Sequence, residues 1–135
     1  MFGYGFGMRI LVLDLDGTVL QPNGTVSKED CAAIQRVRDR GIAVIIATGR
    51  ALVESGSALE VLGHDGLFIG GSGSILNDVS TGATLHRSTM PADVVRDAAA
   101  MFQEDGHKVL VLKDAFATGY DYLAAQSSSE TVPFG

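Results

Sequence analysis

Cysteine is nearly absent: Cys31 is the only one in 135 residues, which excludes an intrachain disulfide and suits a protein expected in a reducing cytoplasm. Long apolar runs are missing too. The longest, Ile42 to Ala47, is about six residues where a membrane span needs roughly twenty, so no spanning helix and no membrane partner is expected. Positive charge is scarce. Ten Lys and Arg against sixteen Asp and Glu give a net charge of −6, and no basic cluster occurs, so nucleic acid is not an expected partner. The opening MFGYGFG has neither the cationic start nor the long apolar segment of a secretory signal, and residues 1–8 read as a flexible leader.

What is present suits one folded body, with 46% apolar and 19% charged residues. Arg9 to Leu13 reads as a strand apolar on both faces, as a central parallel strand must be. A loop with Gly17, Pro22, Asn23 and Gly24 follows. Ser27 with Asp30 three residues on resembles a capping box, and Ile34, Val37 and the closing Gly41 fit an amphipathic helix of about fourteen residues. IAVIIA is a second strand, Leu52 to Leu62 a second helix stopped by Gly63, and GLFIG a third strand. Alternating strands and helices imply parallel pairing, and ligands of such sheets gather at the carboxyl ends of the strands. After Gly73 the rhythm changes: SILND and ATLHR flank a VSTG turn as a hairpin. A helix from Pro91 to Asp105 and the strand KVLVL follow, then GYDYL, and QSSSE resembles linker.

The string LVLDLDGTVL, residues 11–20, runs an apolar strand into two carboxylates. Residues two apart on an extended chain point the same way, so Asp14 and Asp16 converge beyond the strand end. Two carboxylates in one mouth repel unless a cation lies between them or one stays protonated. Mg²⁺ suits them, because it takes oxygen ligands and commonly uses one or two carboxylates together with substrate phosphate. A bare Asp-Gly pair also begins ordinary turns, but an apolar strand followed by D-x-D-G-T asks for more than a turn.

DLDGT is similar to the first motif of the haloacid dehalogenase-like superfamily, whose members are mostly Mg²⁺-dependent phosphatases. The resemblance implies that Asp14 attacks phosphorus to give an aspartyl-phosphate, and that Asp16 protonates the leaving oxygen and then activates water. It implies Mg²⁺ held by the Asp14 side chain and the Asp16 main-chain carbonyl, and a phosphate site drawn from Thr18, Thr48, Gly49, Arg50 and Ser72. Thr48 closes VIIATGR as the family's second motif closes its strand. Its hydroxyl would donate to a phosphoryl oxygen, with the N–H groups of the following helix aimed at the same anion. Read alone, Thr48 serves equally as that helix's N-cap. Arg50 opposes the helix dipole in the first turn, a conflict that a bound anion would remove; an Arg lying on the surface in solvent is an equal alternative. Ser72-Gly73 stands where the Cof-like branch, with its large α+β cap, usually carries Asn-Gly.

The resemblance therefore implies an α/β fold: an incomplete Rossmann-like parallel sheet over residues 9–73, then the beginning of an α+β cap over 74–135. The family's bridging Lys and its late acidic pair do not appear in the sequence. Lys113 and Asp114 come as one dipeptide at the end of a cap strand, where a solvated polar end explains them as well as catalysis does. The chain is accordingly expected to be the N-terminal part of a longer phosphatase acting on a small phosphorylated metabolite. Two other readings stay open: a phospho-accepting receiver, and a non-catalytic module that keeps only the phosphate site. His64, His86 and His107 are isolated, without ligand spacing, and read as loop or surface residues. The oligomeric state is left open.

Overall fold

A computed structural model describes residues 9–125 and 132–134. The leader at 1–8 and the QSSSE stretch lie outside them.

The first unit runs β1 (Ile10–Leu13), α1 (Lys28–Asp39), β2 (Ala43–Ala47), α2 (Leu52–Val61), β3 (Leu67–Gly70), β4 (Ile75–Asp78) and β5 (Thr84–Arg87). Its five strands lie side by side in the order β1-β2-β3-β4-β5, parallel from β1 to β3 and antiparallel from β3 to β5. Helix α1 starts where expected: Ser27 Oγ accepts from the Asp30 N–H at 2.9 Å, and acidic Glu29 and Asp30 open a helix whose last turn holds Arg36 and Arg38. Both helices contribute to one core. Ile34 of α1 and Ala58 and Leu59 of α2 pack with Leu15, Val44, Ile46 and Phe68, so both crossovers lie on the same face of the sheet.

Among the described residues, strand β1 pairs on one side only, with β2. Only one of its faces is covered: Leu15 is fully buried in line with Leu11 and Leu13, while Ile10 and Val12 on the other face are exposed, Val12 by 54%. The cause is the strand order. Going β1, β2, β3 in one direction places every helix of this unit on one side.

Opposite the strands' carboxyl ends, His64 is buried rather than on the surface. Arg38 Nη2 donates to its Nδ1 at 3.1 Å, and its Nε2–H donates to the Leu67 carbonyl at 3.0 Å. Arg38 Nη1 also donates to the Leu62 carbonyl at 2.8 Å, so one pair of side chains ties the ends of α1 and α2 to the start of β3. Burial, with the Arg38 charge assisting, holds the imidazole below its ordinary pKa.

The second unit follows four residues after β5: α3 (Ala92–Glu104), β6 (Val109–Leu112), α4 (Ala115–Thr118), β7 (Tyr122–Ala125) and β8 (Val132–Phe134). Its strands form a separate antiparallel sheet in the order β6-β7-β8. The hairpin β4–β5 belongs to the first sheet. The change from parallel to antiparallel pairing falls after Gly73, where the sequence changes rhythm, yet the hydrogen-bonded sheet continues to Arg87. Among the described residues, no helix is long and apolar enough to cross a membrane.

Candidate active site

Strands β1, β2 and β3 are adjacent and parallel, with Leu13 beside Ile46 and Ala47 beside Ile69. Their carboxyl ends therefore deliver Asp14, Thr48 and the Gly71–Ser72 turn to one end of the sheet. Neighbouring strands are spaced about 4.8 Å apart, so the three loops form a contiguous rim.

Asp14 leaves β1 on the face of Ile10 and Val12 and is exposed. Its Oδ1 accepts from the Leu15 N–H at 2.7 Å, which fixes one carboxylate oxygen and leaves Oδ2 facing outward from that bond. Beyond it the chain closes a tight turn in which Thr18, Val19 and Leu20 all donate backbone N–H groups to the Leu15 carbonyl, at 3.2, 3.1 and 2.7 Å. Leu15, Val19 and Leu20 are buried, and this anchors the turn, while Asp16, Gly17 and Thr18 stay exposed.

Thr48 is 6% exposed at the end of β2. It is not the N-cap of α2. That position is Ala51, whose N–H donates to Glu54 Oε2 at 2.7 Å, so the acidic side chain three residues on does the capping. Thr48 Oγ1 instead accepts from the Arg50 N–H at 3.3 Å and shapes the Gly49 turn. Backbone bonds stitch this loop to the next one: Thr48 N–H to the Ile69 carbonyl at 2.9 Å, Gly71 N–H to Arg50 carbonyl at 2.9 Å, and Ser72 N–H to Thr48 carbonyl at 3.3 Å. The approach requires glycine at residue 70, where a Cβ would lie 2.9 Å from the Arg50 carbonyl oxygen. A Cβ at Gly49 would sit 3.5 Å from Ser72 Oγ, so Gly49 and Ser72 are direct neighbours. Ser72 itself has φ 56° and ψ 36°, the one non-glycine residue in the left-handed region among those described.

The guanidinium of Arg50 faces Asp16. Nε donates to Oδ2 at 2.8 Å and Nη2 to Oδ1 at 2.6 Å, a bidentate pair, and Nη1 donates to the Glu54 carbonyl at 3.3 Å. Hydrogen bonding from Arg50 holds the Asp16 carboxyl below the usual carboxylate range, and the same contact raises the guanidinium. Arg50 precedes the N-cap of α2, Ala51, and the anion beside it in this structure is the Asp16 carboxylate. Sequence spacing gave no sign of this pairing across 34 residues.

Asp114 is engaged elsewhere, while Lys113 lines a pocket with Ala51 and Leu52 at the start of α2. Asp114 is only 9% exposed at its side chain, far from a solvated strand end, and it binds Thr84 and Arg87 of β5. The described residues contain no group of three or more His, Cys, Asp or Glu side chains placed to hold a metal.

The sheet thus carries parallel strands β1 to β3, with Asp14 and Asp16 after the first and Thr48 after the second. The chain belongs to the haloacid dehalogenase-like hydrolase family, whose sequence model matches residues 11–133. It is 32% identical over 108 residues to an HMP-PP phosphatase of Escherichia fergusonii, covering 73% of this chain and 39% of that protein. Among solved structures it is similar to a haloacid dehalogenase-like hydrolase from B. subtilis, with a TM-score of 0.71 and 28% identity over 78% of this chain and 36% of that one. A HAD/COF-like hydrolase from Plasmodium vivax gives a TM-score of 0.67 and 25% identity, covering 79% of this chain and 41% of that one. The chain thus spans about two-fifths of the length of the curated relatives it matches.

Proposed function

We propose that this chain carries the nucleophilic part of a Mg²⁺-dependent phosphomonoesterase that works through an aspartyl-phosphate on a small phosphorylated metabolite. The observation that carries the reading is the rim of the sheet, where Asp14 and Asp16 end β1 beside the interlocked Thr48 and Ser72 loops. In this reading Asp14 Oδ2 attacks phosphorus in line with the ester oxygen, forming the Oδ2–P bond as the P–O ester bond breaks. For the acid role Asp16 must first leave its pair with Arg50 and take a proton from solvent; it then gives that proton to the departing oxygen and takes one from the water that attacks phosphorus, as the Oδ2–P bond breaks and frees Asp14. Thr48 Oγ1, the Gly49 N–H and the hydroxyls of Thr18 and Ser72 would donate to the phosphoryl oxygens.

The donor set fits the metal. Asp14 Oδ2 and the Asp16 main-chain carbonyl are both hard oxygens, and the turn's backbone bonds converge on the Leu15 carbonyl instead. Mg²⁺ bound there would neutralise charge on the phosphoryl group. The HMP-PP phosphatase relative supports a small phosphorylated substrate. We further read residues 74–135 as the beginning of a cap, with the β4–β5 hairpin as its footing on the core sheet, residues 1–8 as a leader, and the cytoplasm as the compartment that suits the single Cys31.

The test is to trap the phosphoenzyme with an activated aryl phosphate at millimolar Mg²⁺. Asp14→Asn should abolish covalent labelling, whereas Asp16→Asn should keep it, because a good leaving group needs no proton. Undiminished labelling in Asp14→Asn would sink the assignment.

A further inference from the structure

The second unit stands outside the buried core of the first sheet. The buried apolar cluster that includes Leu15, Ile46 and Phe68 is drawn wholly from residues 15–68, and the second unit contributes nothing to it. A polar contact crosses between the sheets. Asp114, just after β6, has a side chain only 9% exposed and holds two residues of β5: Oδ1 accepts from Thr84 Oγ1 at 2.6 Å, and Oδ2 accepts from Arg87 Nη1 at 2.7 Å. Behind Thr84 stands buried Asn77 of β4, whose Nδ2 donates to Thr84 Oγ1 at 3.1 Å. Burial alone would raise the Asp114 carboxyl, but these bonds outweigh it and the net displacement is downward. Both carboxylate oxygens are engaged, so removing the group leaves Arg87 Nη1 and the Thr84 hydroxyl proton without their acceptor.

The same contact bounds a cavity. About 340 Å³ of space lies between the units, walled by Leu52 of α2, Ile75 and Asn77 of β4, and Leu112, Ala115 and Phe116 around Asp114. We propose that Asp114 is a latch: its bonds to Thr84 and Arg87 dock the second sheet on the first and hold the two walls of this cavity together. The covalent tether between the units, residues 88–91, begins immediately after Arg87, so the latch grips the chain at its hinge. The inference does not depend on the phosphatase reading.

Hydrogen exchange and limited proteolysis on the 135-residue protein test it. In Asp114→Asn the amides of β6 and β7 should lose at least tenfold of their protection and tryptic cleavage after Arg87 should quicken at least tenfold, with the amides of β2 and β3 unchanged. Thr84→Val should reproduce this in milder form, Thr84→Ser should restore it, and the double variant should add little to Asp114→Asn. Asp97→Asn, which removes an equally acidic but exposed partner of Arg96, should change neither readout. Unchanged protection in β6 and β7 would overturn the latch, and so would an equal loss across both sheets, which would make Asp114 an ordinary stabilising group.

Discussion

The first sheet and the second unit are built from similar sequence but held by different forces. Of the thirteen buried apolar residues among those described, eleven lie between Leu15 and Phe68 and only Ala99 and Ala124 lie in the second unit. Both units expose large apolar side chains, Val12 and Val53 in the first and Leu110 and Phe116 in the second, but only the first has a core beneath them. Apolar burial scales with the area hidden, so the first sheet carries its own stability, while the second depends on what it docks against. Alternating strands and helices of comparable hydropathy do not guarantee a core; covering a face does.

The largest effect expected from this contrast is in the core. Phe68 is fully buried in β3, and Phe68→Ala should cost about 3–5 kcal/mol through lost burial and the cavity left behind. Leu110, the same distance into β6, is exposed, and Leu110→Ala should stay within about 0.5 kcal/mol. Urea denaturation of the two variants measures both. Equal losses would erase the difference between the two regions.

A smaller effect separates the polar seams. Arg38 on α1, Asp65 beside the ring, and the Leu62 and Leu67 carbonyls are the charged and polar groups around His64, and burial lowers its pKa in the folded state. The unfolded chain then takes up the proton first. The contribution of neutral His64 is complete above about 6.5, the unfolded value, and is lost as pH falls below it. Thermal midpoints measured from pH 7.5 to 5 should fall more steeply for the wild type than for His64→Gln, which keeps a donor and an acceptor but cannot titrate. Parallel curves would show that the ring changes charge without consequence.

What could be read from sequence divides along similar lines. The helices and strands of the first sheet were legible because their signals are local: Ser27 with Asp30, a glycine just past each of the first two helices, apolar runs of strand length. The first and second family motifs were legible because they are contiguous. Placement was not. That β4 and β5 join the first sheet and that His64 is buried both depend on partners far along the chain. Asp16 meets Arg50, His64 meets Arg38 and Asp114 meets Thr84 across 34, 26 and 30 residues, and no periodicity encodes such meetings. Thr48 was misread as a possible cap for a related reason: the capping is done from inside the helix by Glu54, which a search for Ser or Thr before a helix does not consider.

The smallest effect concerns a residue of the first unit, in the turn between β3 and β4. Ser72 sits in the left-handed region at φ 56°, where a Cβ costs roughly 1–2 kcal/mol and where Asn is tolerated better than Ser. Glycine there removes the steric cost but adds unfolded-state freedom worth about 0.5–1 kcal/mol, so Ser72→Gly should gain about 0.5–1 kcal/mol net. For a chain of this size that raises the thermal midpoint by about 2–5 °C. In the proposed phosphate site, the strain at Ser72 beside Gly49 would serve binding rather than stability. The stability gain should therefore come with weaker binding of inorganic phosphate or vanadate, measured by calorimetry on the protein in Mg²⁺. Ser72→Asn, which relieves the strain and keeps a side-chain donor, should recover part of that binding. A gain in stability with phosphate binding unchanged would remove Ser72 from the site and leave its backbone conformation as a requirement of the Gly70–Gly71 approach to Arg50 alone.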